Sequence, residues 1–398
     1  MNLVDSFADT SRFVALRRDI HMHPELGFEE HRTSKIVAEL LREWGVEVHT
    51  GIAGTGVVGV LKCGNGARTI GLRADLDALP LQEENHFPHR SQHDGRMHAC
   101  GHDGHTTMLL AAAWHLSKSR DFDGTVNFIF QPAEEMGKAG ALKMIEDGLF
   151  ERFPCDAVFA LHNFALPVGT FALNPAALMA SSNTWKVTLH GRGTHASLPH
   201  TGIDPVGAVV ELAQQLQSLV PRVIPSNERA LLAVTQLRGS DAPNVIPDLA
   251  SVGGTIRTFS VDATDKLEAG LRRLAGGIAQ AHGCTAEIFF RRASPPVVNH
   301  EGEARFAAGV MREVVGDAGV QDAFPAVMAA EDFGHTLRAR PGCYAFIGNG
   351  DGGHRLPDHG AGPCIIHNTS FDFNDEIIPI GASYYVRLVQ RWLAQPVK

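Results

Sequence analysis

The chain is 398 residues long, with 44% hydrophobic and 20% charged residues and a formal net charge of −9. That length suggests two domains, and that hydrophobic content supports large cores without disulfides. The negative balance, with no block of Lys or Arg, argues against nucleic acid or anionic membrane as the main partner and favours a small-molecule substrate.

The first residues, MNLVDSFADTSRFVALRRDI, lack an apolar signal core and read as the start of an amphipathic helix. Helical periodicity runs over residues 11–45 and breaks around His23-Pro24-Glu25. Short apolar stretches follow at Gly56–Leu61, Thr69–Arg73, Thr125–Phe130, Ala157–Leu161 and Cys343–Ile347. They are the pattern of strands buried on both faces. Helical segments at Gly104–Lys118 and Ala139–Asp147 lie between them, which predicts an α/β domain.

The middle of the chain has a different rhythm. Strands are expected at Trp185–His190, Leu231–Leu237, Ala250–Thr258 and Thr285–Arg291, with helices at Pro205–Leu219 and Asp265–His282. The order β-α-β-β-α-β is the ferredoxin-like plan. The expected architecture is a mixed-sheet α/β catalytic domain, residues 1–182 and 293–398, with a ferredoxin-like domain inserted at 183–292. Apolar runs are too short to span a bilayer. The six cysteines (Cys63, Cys100, Cys155, Cys284, Cys343, Cys364) form no CxxC pair, so reduced thiols and a cytoplasmic location are expected.

Open α/β sheets place ligands beyond the carboxyl ends of their strands. Thr69–Arg73 runs into Asp75 and Asp77. Thr125–Phe130 runs into Glu134-Glu135, and Ala157–Leu161 into His162-Asn163. Ile365-Ile366 precedes His367 as a further end of this kind.

The densest polar stretch is MHACGHDGH, residues 97–105. Cys100 has three readings there. It is an inert buried thiol, or a nucleophile with His98 or His102 as base, or a metal ligand beside His102. Zinc-type metals take sulfur, imidazole and carboxylate together. Adding Glu135, His162 and His367 gives five ligands, too many for one tetrahedral site with an open position. Two divalent ions (Zn, Mn, Co or Ni) sharing a ligand fit better. Glu134-Glu135 then divides into one ligand and one general base, although two acids at a helix start also suit its dipole.

Over nearly its whole length the chain resembles the M20 metallopeptidases. The likeness is to their amidohydrolase branch of hippurate hydrolases, aminoacylases and indoleacetyl-amino acid hydrolases. It is carried by RRDIHMHPELGFEE (17–30), GLRADLDALP (71–80), MHACGHDGH, FQPAEE (130–135), LHN (161–163) and GRGTHASLPHTGIDP (191–205). It continues through PNVIPD (243–248), GGTIRTF (253–259), AAEDFG (329–334) and HNTSFDFND (367–375).

The resemblance implies that Cys100, His102, Glu135, His162 and His367 hold two metals, with Cys100 in the bridging place. It makes Glu134 the base and later the acid. Asp77 would orient a histidine ligand, His102. His195 would reach the site of a second subunit, and Asn244 and Arg257 would hold the substrate's carboxylate or carbonyl. The inserted domain would serve as lid and dimerisation module.

One departure is the long His-rich stretch GNGDGGHRLPDHGAGPCIIH. His367 is kept as the ligand over His354 and His359 because NTSFDFND follows it. His98 and His105 receive no role. Asp75 reads as a turn residue, Glu331-Asp332 as a helix cap with a supporting role behind the ligands as the rival, and Arg257 equally as a structural ion pair.

The expected activity is hydrolysis of N-acyl-L-amino acids. The rivals within the family are a dipeptidase, an N-acetyl-diaminopimelate deacetylase and an auxin-conjugate hydrolase. Outside it stand a metal-free thiol hydrolase using Cys100 and a non-catalytic binding protein.

Overall fold

The computed structural model describes residues 10–396, so the helix start expected over residues 1–9 lies outside the described residues. The chain forms two compact units. The first comprises the residues up to Leu178, Val298–Pro325 and those from His335 onward. The second comprises Met179–Val297 and Ala326–Gly334.

The first unit is built on an eight-stranded sheet. From edge to edge its strands are Glu47–Ile52, Gly56–Cys63, Gly124–Gln131, Thr69–Asp75, Ala157–Phe164, Gly342–Gly348, Phe171–Ala172 and Val320–Gln321. The four strands from Gly124–Gln131 to Gly342–Gly348 are mutually parallel, and Gly56–Cys63 adds to them antiparallel. Ala157–Phe164 is buried but for its last residue and Gly342–Gly348 throughout, because both faces are covered.

The helix His102–Ser119 has a polar first turn and an apolar middle, Met108–Ala113, and is buried from His102 to Ala113. The helix Ile378–Leu393 packs against it. Among the described residues, no helix is long and apolar enough to cross a membrane.

The second unit has a four-stranded antiparallel sheet in the order Ala230–Arg238, Leu249–Thr258, Ser182–His190, Thr285–Ser294. With the strands numbered along this unit, that is 2-3-1-4, the ferredoxin-like arrangement. Its helices are started by side-chain caps. Asp204 accepts from Val206 N–H ahead of Pro205–Gln217, and Ser260 accepts from Ala263 N–H ahead of Val261–Ala281. Trp185, Val187, Leu189, Leu212, Leu267 and Leu271 fill the core beneath.

The unit extends past the expected span of 183–292. Its first and last strands run on until Ser182 pairs with Ser294. Ala326–Gly334, expected with the catalytic portion, also belong to it. Ala180 N–H donates to Val327 O at 3.1 Å and to Ala329 O at 2.9 Å, which ties that segment to the start of the unit.

Candidate metal centre

The parallel strands deliver their polar residues at their carboxyl ends. Asp75 closes Thr69–Asp75, and Gln131 closes the strand that leads to Glu134-Glu135. His162 and Asn163 lie just before the end of the strand Ala157–Phe164. Gly101, at φ +92°, turns the chain between Cys100 and His102, the first residue of its helix. That left-handed conformation suits glycine. His367 is not at a strand end, contrary to expectation. It occupies a turn at φ +64°, and its N–H donates to Ala99 O at 2.7 Å, beside Cys100.

These segments converge. Cys100 Sγ lies 3.4 Å from His162 Nε2, and His367 Nε2 lies 3.1 Å from Glu135 Oε1. Ligand atoms of Cys100, His102 and His162 fall within 4.8 Å of one another. So do those of Cys100, Glu135 and His367, and those of His102, Glu134 and Glu135. The five residues expected as ligands, and Glu134 with them, therefore share one region of the first unit.

Hydrogen bonds aim the imidazoles. His162 Nδ1 is 2.7 Å from Asn163 O, and His102 Nδ1 is 2.8 Å from Asp77 O. A carbonyl only accepts, so each Nδ1 carries the proton and each Nε2 of the neutral ring presents a lone pair. His102 Nε2 is buried with no hydrogen-bond partner. Such an unpartnered buried nitrogen is costly unless a metal ion meets it in place of a proton.

The electrostatics point the same way. Burial pushes the Cys100 thiol well up, and the charges of Glu135, Glu134 and Asp75 push it further. Burial alone would lower the pKa of His102, but Asp75, Asp77 and Glu135 outweigh it and hold it at about 10. Burial, together with the neighbouring His105, keeps His162 well below its ordinary value. This is a carboxylate-rich pocket that favours added positive charge, and sulfur, nitrogen and oxygen donors suit a divalent transition metal. A catalytic thiolate needs the opposite, an electropositive setting.

Asp77 does more than expected. Besides facing His102, its carboxylate accepts the N–H groups of Glu134 at 3.1 Å and Glu135 at 3.0 Å. Sequence reasoning missed a second support. Asp75 Oδ1 is 2.6 Å from His105 Nδ1, and Arg73 Nη1 is 2.7 Å from Asp75 Oδ2. His105 Nε2 accepts the N–H of Asn163 at 3.0 Å. Two signals were available, the strand-end position of Asp75 and the three-residue step from His102 to His105, which puts both on one helix face.

The remaining residues are placed as follows. His98 is buried with neither ring nitrogen paired, and burial lowers its pKa to about 4. His354 Nε2 is 3.1 Å from Asp372 O and His359 Nδ1 is 2.7 Å from Gly360 O, so both are engaged by backbone carbonyls. Glu331 Oε1 accepts Phe333 N–H at 3.0 Å, as a cap does.

In the second unit, His195 and Asn244 line one hollow of about 390 Å³ with Asp248. His195 pairs with Val245 across a short ladder, and Ser197 donates to its Nδ1 at 2.7 Å. Arg257 is not among these residues. It is half-buried near the far end of Leu249–Thr258, and its Nη1 is 3.5 Å from Ser181 O. Eight residue steps separate it from Leu249, roughly 27 Å of strand.

The profile of peptidase family M20/M25/M40 matches residues 71–391. Hippurate hydrolase of Campylobacter jejuni subsp. jejuni is 40% identical over 397 residues, 99% of this chain and 100% of that one. IAA-amino acid hydrolase ILR1-like 5 of Arabidopsis thaliana is 39% identical over 386 residues, 96% of this chain and 86% of that one. Among solved structures, the YXEP protein of Bacillus subtilis, described as a dinuclear metal-binding peptidase of the M20 family, aligns with a TM-score of 0.83. It is 32% identical, covering 97% of this chain and 99% of its own.

Proposed function

The chain belongs to peptidase family M20/M25/M40, and from that premise we infer a metal-dependent amidohydrolase that cleaves N-acyl-L-amino acids, hippurate-like or N-acetyl. The observation that carries this reading is the convergence of Cys100, His102, Glu135, His162 and His367 in overlapping groups in one carboxylate-rich region, with Glu134 among them. Those five residues would hold two divalent ions, with Cys100 between them. Zn, Mn, Co and Ni all suit such mixed donors.

Bound there, the ions would supply Lewis acidity toward a carbonyl and a lowered pKa for water. Glu134 takes the proton of the attacking water as the new C–O bond forms. It returns that proton to the amide nitrogen as the C–N bond breaks, releasing acid and amine. His195 donates a hydrogen bond to the developing oxyanion. Asn244 and Arg257 grip the free carboxylate, so an N-acyl amino acid is preferred over an internal peptide bond.

His195 lies on the two-stranded ladder with Val245–Ile246, whereas Arg257 lies in the four-stranded sheet, eight residue steps along its strand from Leu249. A single substrate can meet both only if they come from different copies. The reading therefore includes a homodimer made through the inserted unit, which doubles as a lid. The cytoplasm suits its unpaired cysteines.

The test is a panel of hippurate, N-acetyl amino acids, indoleacetyl-amino acids and dipeptides, assayed on chelated protein and after reloading with each metal. Hydrolysis of the N-acyl amino acids should vanish with chelation and return with metal. Activity indifferent to chelator contradicts the reading and restores the Cys100 thiol mechanism.

A further inference from the structure

The stretch HPELGFEE, residues 23–30, supplies none of the residues given a role above. Its surroundings assign it one. Glu30 is fully buried. Its Oε1 accepts the N–H of Ala133 at 2.8 Å, and Thr55 Oγ1 donates to its Oε2 at 2.5 Å. With Asp77 on the next two amides, three successive N–H groups, of Ala133, Glu134 and Glu135, are held by two buried carboxylates.

The segment so held is strained. Ala133, Met136 and Ala139 have φ of +52°, +60° and +57°, a left-handed region that residues with a side chain enter only under strain. Such a backbone persists only where its surroundings over-determine it. The 23–30 stretch does so at two more points. Lys138 Nζ donates to Gly27 O at 2.6 Å. A Cβ on Gly27 would stand 2.9 Å from Ala133 Cα, so the two backbones touch. The same stretch reaches the other carboxylate, since Glu25 O accepts Ala78 N–H at 2.8 Å, next to Asp77.

We propose that Glu30 is a positioning residue for the general base: through Ala133 N–H it fixes the left-handed segment that aims Glu134 and Glu135, with 23–30 as its bracket. This rests on the assignment of Glu134 as base. Glu30→Ala leaves Ala133 N–H without its acceptor. Glu30→Gln keeps that acceptor and offers its amide to the Thr55 oxygen. Gly27→Ala presses on Ala133 without touching Glu30.

The experiment compares these three with Glu134→Gln in the full-length protein. It measures bound metal per subunit, kcat and KM on hippurate, and amide exchange of the 130–137 peptide in metal-free protein. Glu30→Ala and Gly27→Ala should each lower kcat about 10- to 100-fold per metal-loaded subunit, with KM little changed. Exchange of 130–137 should speed up in both, and Glu30→Gln should restore both readouts. Gly27→Ala carries the test alone if Glu30→Ala does not fold.

A kcat that falls only in proportion to lost metal, or unchanged exchange of 130–137, overturns the proposal. Turnover retained by Glu134→Gln overturns instead the base assignment, while the metal-free exchange still decides the bracket.

Discussion

His105 Nδ1 lies 2.6 Å from Asp75 Oδ1, and the imidazole's far side accepts the backbone N–H of Asn163. The pair thus links the end of one strand to the residue following His162, whose ring centroid is 4.4 Å from that of His105. Arg73 closes the chain of contacts on the other oxygen of Asp75. None of these groups needs to touch a substrate to govern the metal centre.

Asp75→Asn should therefore weaken metal binding. Outer partners of this kind typically contribute about 10- to 100-fold in affinity. A chelator competition titration on the variant and the parent reads the difference. Equal affinities would show that the Asp75–His105 link does not steady the ligands.

Gly101→Ala should be more damaging than an ordinary helix-end change. The residue sits at φ +92°, and an added Cβ would stand 2.1 Å from Asn163 Oδ1. Conformational strain alone costs about 1–3 kcal/mol, and the clash displaces Cys100 and His102 from either side. A lower Tm together with sub-stoichiometric metal is expected. A variant with the parent's Tm and full metal content would contradict the geometry.

The alkaline limit of stability should depend on His21. Burial would lower its pKa, but Asp103 and Glu83 outweigh that and hold it at about 10, above the ordinary 6.5. Folded His21 thus binds its proton more tightly than unfolded His21. Its contribution is complete below pH 6.5 and is lost as pH rises through about 10. Urea midpoints of metal-free protein should fall across that window, and His21→Gln should flatten the fall. Parallel curves for variant and parent would remove His21 from the account.

The features that periodicity and the strand-end rule can encode were legible in the sequence. The buried strands, the ferredoxin-like sheet and the delivery of Glu135 and His162 to one region follow from apolar runs and what ends them, while Cys100 and His102 stood out as the dense polar stretch 97–105. His367 was legible as a residue but not in its placement, because a left-handed turn pinned to Ala99 leaves no periodic trace.

The supports were the least legible. Asp77 was legible only through the family resemblance and only toward His102; its hold on the Glu134 and Glu135 amides, and that of Glu30 on Ala133, leave no mark in the sequence of a lone acid. The attachment of Ala326–Gly334 to the second unit rests likewise on main-chain hydrogen bonds, which any sequence can make.

Anomalous diffraction from manganese-loaded crystals tests the central claim most directly. Two peaks roughly 3.5–4 Å apart should lie among Cys100, His102, Glu135, His162 and His367, with the Cys100 sulfur in contact with both. A single peak there, or metal seated away from the Cys100 sulfur, would contradict the account.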